Sequence, residues 1–342
     1  MEVKMSKKIL VIGGAGYVGS ALVPKLLDAG HYVRVLDTFW FGDGVFNDWI
    51  LKNSRTSINR LGFVKGDIRN CDLEQAMRDV DCVIHLACIS NDPSFELNRD
   101  LGRSINYDAF LKVIIAAQES KIGRFIFASS SSVYGVKNTP NVTEDMCLEP
   151  LTDYSKYKAF CEMELQMIPT EKLPWVIIRP ATVCGYAPRM RLDLSVNILT
   201  MAALTKGKIM VFGGSQIRPN IHIEDMTDLY VRLVNEEDDR IIGRTFNAGG
   251  SNLSIETIAE LVKKIIEQCM AKKIEIEKVP TWDLRSYHVS SAKIERQLGW
   301  QTIRDVPDAV VHLMKAFNAG LIPNPDDPKY SNIKTMKVLK IQ

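Results

Sequence analysis

Short, near-continuous apolar runs punctuate the first half of the chain, at 8–12, 32–36, 82–87, 124–128 and 175–179. A strand that is apolar on both faces is one buried on both sides, as in a parallel sheet. Between these runs apolar residues recur at helical spacing, in 21–29, 73–78 and 109–119. Strand and helix therefore alternate, which predicts right-handed crossovers and a doubly wound parallel sheet with helices on both faces. Past Pro180 the alternation loosens into helix-like segments at 195–205 and 255–270, short strands near 210–212 and 274–279, and a last helix near 306–318. The expected architecture is α/β, with a doubly wound domain over 6–180 and a smaller, partly interleaved α/β lobe over 181–322. The tail, 323–342, opens Pro-Asn-Pro-Asp-Asp-Pro and ends rich in lysine. It reads as a surface-running extension to which the sequence assigns no role.

Composition narrows the function classes without choosing one. Hydrophobic residues make up 46% and charged residues 25% of the 342, the balance of a soluble globular enzyme. A net charge of +2 gives no footprint for nucleic acid, so an anionic ligand has to be met by individual side chains. The seven cysteines include no Cys-x-x-Cys pair, and the histidines are scattered, which points to reduced thiols, a cytoplasmic protein and no metal site. No apolar run is long enough for a signal or membrane helix.

Chemistry first shows in Gly13-Gly14-Ala15-Gly16-Tyr17-Val18-Gly19, directly after the first strand and opening the first helix. Glycines allow a tight turn and close backbone approach, and the helix N-terminus turns its N–H groups toward a pyrophosphate. A plain strand-to-helix turn would explain the glycines alone. The second strand, however, ends Val35-Leu36-Asp37, placing a carboxylate where a Rossmann dinucleotide site meets the adenosine ribose hydroxyls. A carboxylate there repels a 2′-phosphate, which favours NAD over NADP.

Tyr154-Ser155-Lys156-Tyr157-Lys158 puts Tyr154 and Lys158 four apart, on one face of a helix. A phenol titrates near ~10, and an adjacent ammonium together with a positive nicotinamide favours the phenolate, letting Tyr154 serve as acid or base. Upstream, Phe127-Ala128-Ser129-Ser130-Ser131-Ser132-Val133-Tyr134-Gly135 is a strand running into a hydroxyl-rich turn at the carboxyl edge of the sheet, where such folds bind ligands. A serine orienting the reacting oxygen, a tyrosine moving its proton and a lysine tuning the tyrosine form a coherent set.

With these motifs in this order, the stretch from Lys8 to Phe317 resembles the extended short-chain dehydrogenase/reductase family, in its nucleotide-sugar epimerase and dehydratase branch. The resemblance assigns Gly13, Gly16 and Gly19, with Tyr17 and Val18 between them, to the cofactor cradle. It gives Asp67-Ile68 the adenine contact, His85-Leu86-Ala87 the strand beside the cofactor, and Asn106 the family's helix asparagine. Counting back from Tyr134, the catalytic hydroxyl falls on Ser130, with Ser129 and Ser131 as alternatives, and Tyr154 and Lys158 complete the catalytic set. Ser90, Ser131, Thr182 and Asn197 are implied as substrate contacts. Arg218, in Arg-Pro-Asn-Ile-His, and Arg285 are implied as ligands of the sugar-nucleotide diphosphate, which a planar guanidinium grips bidentately, whereas His222 reads as structural.

Two departures shape the expected reaction. Ser131 and Ser132 stand where family dehydratases carry an Asp-Glu pair for elimination, which favours epimerisation or simple redox. Thr182 replaces an asparagine common among the sugar epimerases, and Cys88 and Cys184 lie near the expected pocket, more as small apolar side chains than as acid/base groups. The resemblance implies an NAD-dependent nucleotide-diphosphate-sugar epimerase acting at C4 through a transient 4-keto sugar. Alternatives are a 4-ketosugar reductase, a 4,6-dehydratase or a non-catalytic NAD-sensing protein. It also implies a homodimer built on 105–121 and 154–168, with Phe110, Val113, Ile114 and Ala117 as an apolar stripe beyond what the sheet can cover.

Overall fold

A computed structural model describes residues 6–137, 139–281 and 286–341. Seven parallel strands form the central sheet: β1 (Lys8–Ile12), β2 (Tyr32–Asp37), β3 (Leu61–Lys65), β4 (Cys82–His85), β5 (Arg124–Ala128), β6 (Trp175–Pro180) and, far along the chain, β10 (Arg244–Ala248). Their spatial order is β10-β6-β5-β4-β1-β2-β3. The chain winds outward from β1 through β2 to β3, then returns to β4 on the other side of β1. That reversal opens a crevice at the carboxyl ends of β1 and β4, the place where open α/β sheets bind ligands. Leu36 carbonyl oxygen accepts the Gly13 N–H at 2.8 Å, and Ile12 carbonyl oxygen accepts the Leu86 N–H at 2.8 Å, so the two crevice turns are fixed to the sheet.

The inner strands are apolar for the reason anticipated: the residues of β4 and the first four of β5 are all buried. Two strands escape the apolar-run criterion. β3 is an edge strand with side chains largely exposed, and β10, Arg-Thr-Phe-Asn-Ala, carries polar side chains into the core, where Asn247 is fully buried by hydrogen bonding. The remaining strands are β7 (Thr182–Cys184), β8 (Lys208–Phe212), β9 (Ile217–His222), β11 (Ser251–Ser254) and β12 (Glu275–Val279). β9 lies between β7 and β11, while β8 pairs with β12, and the helices Ser195–Lys206, Ile255–Met270 and Val306–Asn318 pack around them.

Two expectations are corrected. Phe110, Val113, Ile114 and Ala117, in the helix Ala109–Glu119, are all buried within the single chain, so that stripe is covered without a second copy. The side chains left outside on this helix and on Asp153–Gln166 are instead Ile115, Phe160 and Met163, at 53%, 44% and 55% exposure. Nor does the tail simply run over the surface. It folds back, with the Tyr330 carbonyl accepting the Leu192 N–H at 2.8 Å, and ends in a helix, Asn332–Val338, whose Asn332, Thr335 and Met336 are buried.

Candidate active site

One cavity of about 360 Å³ occupies the crevice. Its wall begins at Gly13, whose φ of +81° is left-handed and where a Cβ would sit 2.6 Å from the Ala87 nitrogen. Only glycine fits so close to the turn after β4. At Gly19 a Cβ would meet the Gly14 carbonyl oxygen at 2.4 Å, which brings the helix Tyr17–Asp28 hard against the loop. The first-turn N–H groups of that helix have no preceding carbonyl to bond, and no side chain caps it at Gly16, so they face the cavity as an anion cradle. The backbone that a dinucleotide requires is therefore present.

Asp37, at the end of β2, lies on the same wall, its carboxylate accepting the Ala15 N–H and the Phe39 N–H, both at 2.9 Å. Burial raises its pKa, and these backbone bonds oppose the rise. Asp67 and Ile68 line the cavity further out; burial pushes the Asp67 carboxyl up, but the Arg69 guanidinium bonded to both its oxygens holds it below its ordinary value. Asn106 is not on the cavity wall. Its side chain accepts the Ile89 N–H at 2.7 Å and donates to the Ile89 carbonyl at 3.0 Å, fixing the loop that carries Ile89 and Ser90.

Across the cavity stand Ser130, Tyr154 and Lys158. Thr152 caps the helix Asp153–Gln166, reciprocally with Ser155, which sets the entry that aims Tyr154 inward. The serine turn is oriented from below. Ser129 donates to Glu162, which is held by Arg179 through three hydrogen bonds; Arg179 donates to the Tyr134 hydroxyl at 2.7 Å, and Tyr134 donates to Asn247 at 2.7 Å. Ser129 is thus committed to the core, whereas the Ser130 hydroxyl lies 2.8 Å from that of Ser132 and lowers the Tyr154 pKa. Ser131 lines the cavity as well. Burial holds the Tyr154 phenol well above its ordinary pKa, Cys88 and Asp92 add to the rise, and Ser130 and Arg191 pull it down. Lys158 donates to the Ala128 carbonyl at 2.6 Å and lies 4.9 Å from the Phe127 ring centre.

On the remaining side the cavity is closed by Thr182, Tyr230 and Tyr287, with Cys88 on the wall and Cys184 buried behind it. Arg218 stands one layer back, its guanidinium 5.5 Å from the Tyr287 ring centre, and Arg285 lies outside the described residues. Asn197 is fully buried and bonded to the Gly185 N–H, the Tyr17 hydroxyl and the Arg191 carbonyl; it joins the cradle helix to the second lobe and does not reach the cavity. His222 caps the helix Ile223–Asn235 and stacks on His312 at 5.3 Å, a structural part. Sequence reasoning missed Arg189, Arg191, Asn332 and Met336, all on the wall. Arg-Met-Arg in an apolar neighbourhood was the available signal for the first two, and the tail had none.

Against known proteins, the NAD-dependent epimerase/dehydratase family model matches residues 9–249. YtcB of Bacillus subtilis (strain 168), named an uncharacterized UDP-glucose epimerase, is 33% identical over 268 residues, covering 75% of this chain and 82% of that protein. UDP-glucose 4-epimerase of Lactobacillus helveticus is 27% identical over 331 residues, 89% of this chain and 94% of that one. Among solved structures, the UDP-glucuronic acid 4-epimerase of Bacillus cereus, in complex with UDP-glucuronic acid and NAD, superposes with a TM-score of 0.80 at 27% identity, covering 91% of this chain and 99% of that chain.

Proposed function

The chain belongs to the NAD-dependent epimerase/dehydratase family, and from that premise we propose that it is an NAD-dependent epimerase inverting C4 of a UDP-sugar. The observation that carries the reading is the pairing, across one cavity, of a glycine-bounded helix N-terminus whose first-turn N–H groups are uncapped with a Ser130–Tyr154–Lys158 wall. Gly13, Gly16, Gly19 and the first-turn N–H groups at Tyr17 and Val18 would hold the pyrophosphate, Asp37 the ribose hydroxyls, Asp67 and Ile68 the adenine, and Leu86 and Ala87 the strand side of the dinucleotide. When bound, NAD supplies a hydride acceptor and donor at C4.

The chain's own groups move the proton. Tyr154, as phenolate, would take the C4 hydroxyl proton while Ser130 orients that oxygen, and with the C4 hydride passed to the bound cofactor a 4-keto sugar remains; once the sugar has turned over and the hydride has returned to the other face of C4, Tyr154 would return the proton to O4. The cavity is low in polarity, so a phenol left alone would stay protonated. Ser130 and Arg191 oppose this, and the Lys158 ammonium, four residues on along the same helix, would add to them. Ser131 and Thr182, on the cavity wall, would meet the sugar, and Arg218 and Arg285, which the sequence singles out, would meet its diphosphate. Ser131 and Ser132 supply no carboxylate pair for elimination, which favours epimerisation over dehydration.

The test is incubation of the purified protein with UDP-glucose, UDP-glucuronic acid and UDP-N-acetylglucosamine in turn, followed by NMR of the anomeric and C4 protons. The 4-epimer is expected without net change in NADH absorbance. Net reduction of NAD, or loss of water from the sugar, would overturn the epimerase reading. Tyr154→Phe should keep NAD binding and lose ~100-fold or more in kcat, since only the transferable proton is removed. We further propose a homodimer formed through the helices Ala109–Glu119 and Asp153–Gln166, supported by their exposed Ile115, Phe160 and Met163. A cytoplasmic location fits the seven free cysteines.

A further inference from the structure

The tail that the sequence leaves without a role reaches the cavity. Asn332, first residue of the helix Asn332–Val338, is 5% exposed and lines the wall. Its side-chain oxygen accepts from Arg189, its amide nitrogen donates to the Ser90 hydroxyl at 2.9 Å and the Ser90 carbonyl at 3.2 Å, and its backbone N–H donates to Asp193 at 3.1 Å. Ser90 follows β4 and Arg189 follows β7, so one side chain ties the tail to two separate walls of the site.

Arg189 explains why this residue is an amide. Its guanidinium is 3.6 Å from the Phe41 ring centre and buried; burial, with the Arg191 charge adding to it, pushes its pKa down to about 9. No ion pair among the described residues includes it. Asp193 and Asp37 oppose that fall electrostatically without pairing with the guanidinium, and a buried charge so partly compensated is costly, a cost relieved when an anion binds beside it. The backbone N–H of Arg189 donates to Ser20 at 3.0 Å, in the helix whose first turn forms the anion cradle, so the anion at hand is a nucleotide diphosphate. A carboxylate at 332 would neutralise the guanidinium. A neutral amide accepts its N–H and leaves its charge for the ligand.

We propose that Asn332 is a positioning residue that holds Arg189 and Ser90 so that the Arg189 charge meets a nucleotide diphosphate in the cavity. This rests on the nucleotide-binding reading above, and both of its nucleotides, the dinucleotide and the sugar nucleotide, carry that group.

The experiment compares Asn332→Ala and Asn332→Asp with wild type, with exposed Lys337→Ala on the same helix as control. UDP is titrated into the purified holoenzyme by calorimetry, NAD retained after dialysis and its dissociation constant are measured, and kcat and KM are followed on the UDP-sugar that wild type turns over. Asn332→Ala is expected to weaken one of the two nucleotides about tenfold, the scale of a hydrogen bond to a charged group, raising KM with kcat little changed. Asn332→Asp, which keeps the size and an acceptor, is expected to bind that nucleotide at least as weakly. Loss confined to NAD places the cofactor diphosphate at Arg189, and loss confined to UDP places the substrate's there. A merely structural amide would behave otherwise, because Asp would pair with Arg189 and restore binding above Ala. That result, or both affinities in Asn332→Ala within twofold of wild type, overturns the proposal. Should Asn332→Ala not fold, as its melting curve would show, Asn332→Asp decides alone. A wild type that binds no UDP sinks the substrate reading, and the NAD arm still decides this one.

Discussion

His85 shows what a single buried group contributes to the response of the protein to acid. Its ring lies among Phe110, Phe125 and Phe127 at centroid distances of 5.4, 6.3 and 6.0 Å, and burial, aided by the Lys158 charge, pushes its pKa down to about 3. An unfolded histidine titrates near ~6.5. Below that pH the unfolded chain takes a proton that the folded chain refuses, so stability is lost as pH falls from ~6.5 and the loss levels off near the folded value. His222, pushed down to about 4, and His312, also lowered by burial, act in the same direction. The melting temperature should therefore fall between pH 7 and pH 5, above the range where most carboxylates titrate. His85→Phe should flatten that slope, and since its Nδ1 has no partner, the change removes no hydrogen bond there. An unchanged slope in the variant would remove His85 from the account. Asp37 is a residue-scale determinant of a different kind. Asp37→Ala should narrow the preference for NAD over NADP by removing a negative charge, and should weaken NAD too, because two loop N–H groups lose their acceptor. Calorimetry with both dinucleotides would falsify this if wild type bound them equally.

At the scale of elements, the active surface depends on a buried polar chain beneath it. Glu162, on the helix Asp153–Gln166, and Arg179, on β6, are almost fully enclosed, and removing one charge leaves the other unpaired. Glu162→Ala should cost ~3–5 kcal/mol by thermal or denaturant unfolding. It should also lower kcat, because the serine turn loses the bond that holds Ser129. A loss of stability without any loss of kcat would show that the turn needs no such support. This chain of contacts explains what could be read in advance. The cradle was legible because its glycines and Asp37 are local in sequence, and the Tyr154–Lys158 pair because helical spacing alone puts both on one face. The withdrawal of Ser129 from the serine turn was not, since it depends on Glu162, 33 residues on from Ser129. β10 and the tail helix were hidden for the same reason: their positions are set by partners distant in sequence, which no local periodicity records.

For the whole molecule, the exposed Ile115, Phe160 and Met163 form the best candidate contact between two copies. Light scattering at micromolar concentration should give twice the 38.5 kDa chain mass, and Phe160→Asp with Met163→Glu should give the single mass with NAD still bound. A wild-type monomer would end the dimer proposal. β10 has the widest reach of any feature of the fold. It closes the sheet beside β6, yet between them the chain builds β7, β8 and β9 and the helices around them. Loop-closure entropy must be met before that last parallel pairing gains anything, so folding of this enzyme should be slow, with a collapsed species whose β6 edge is still unpaired. An isolated 6–180 fragment would carry that open edge permanently and should self-associate. The intact chain should lose both halves together in one denaturant transition, because neither half of the sequence contains a complete sheet.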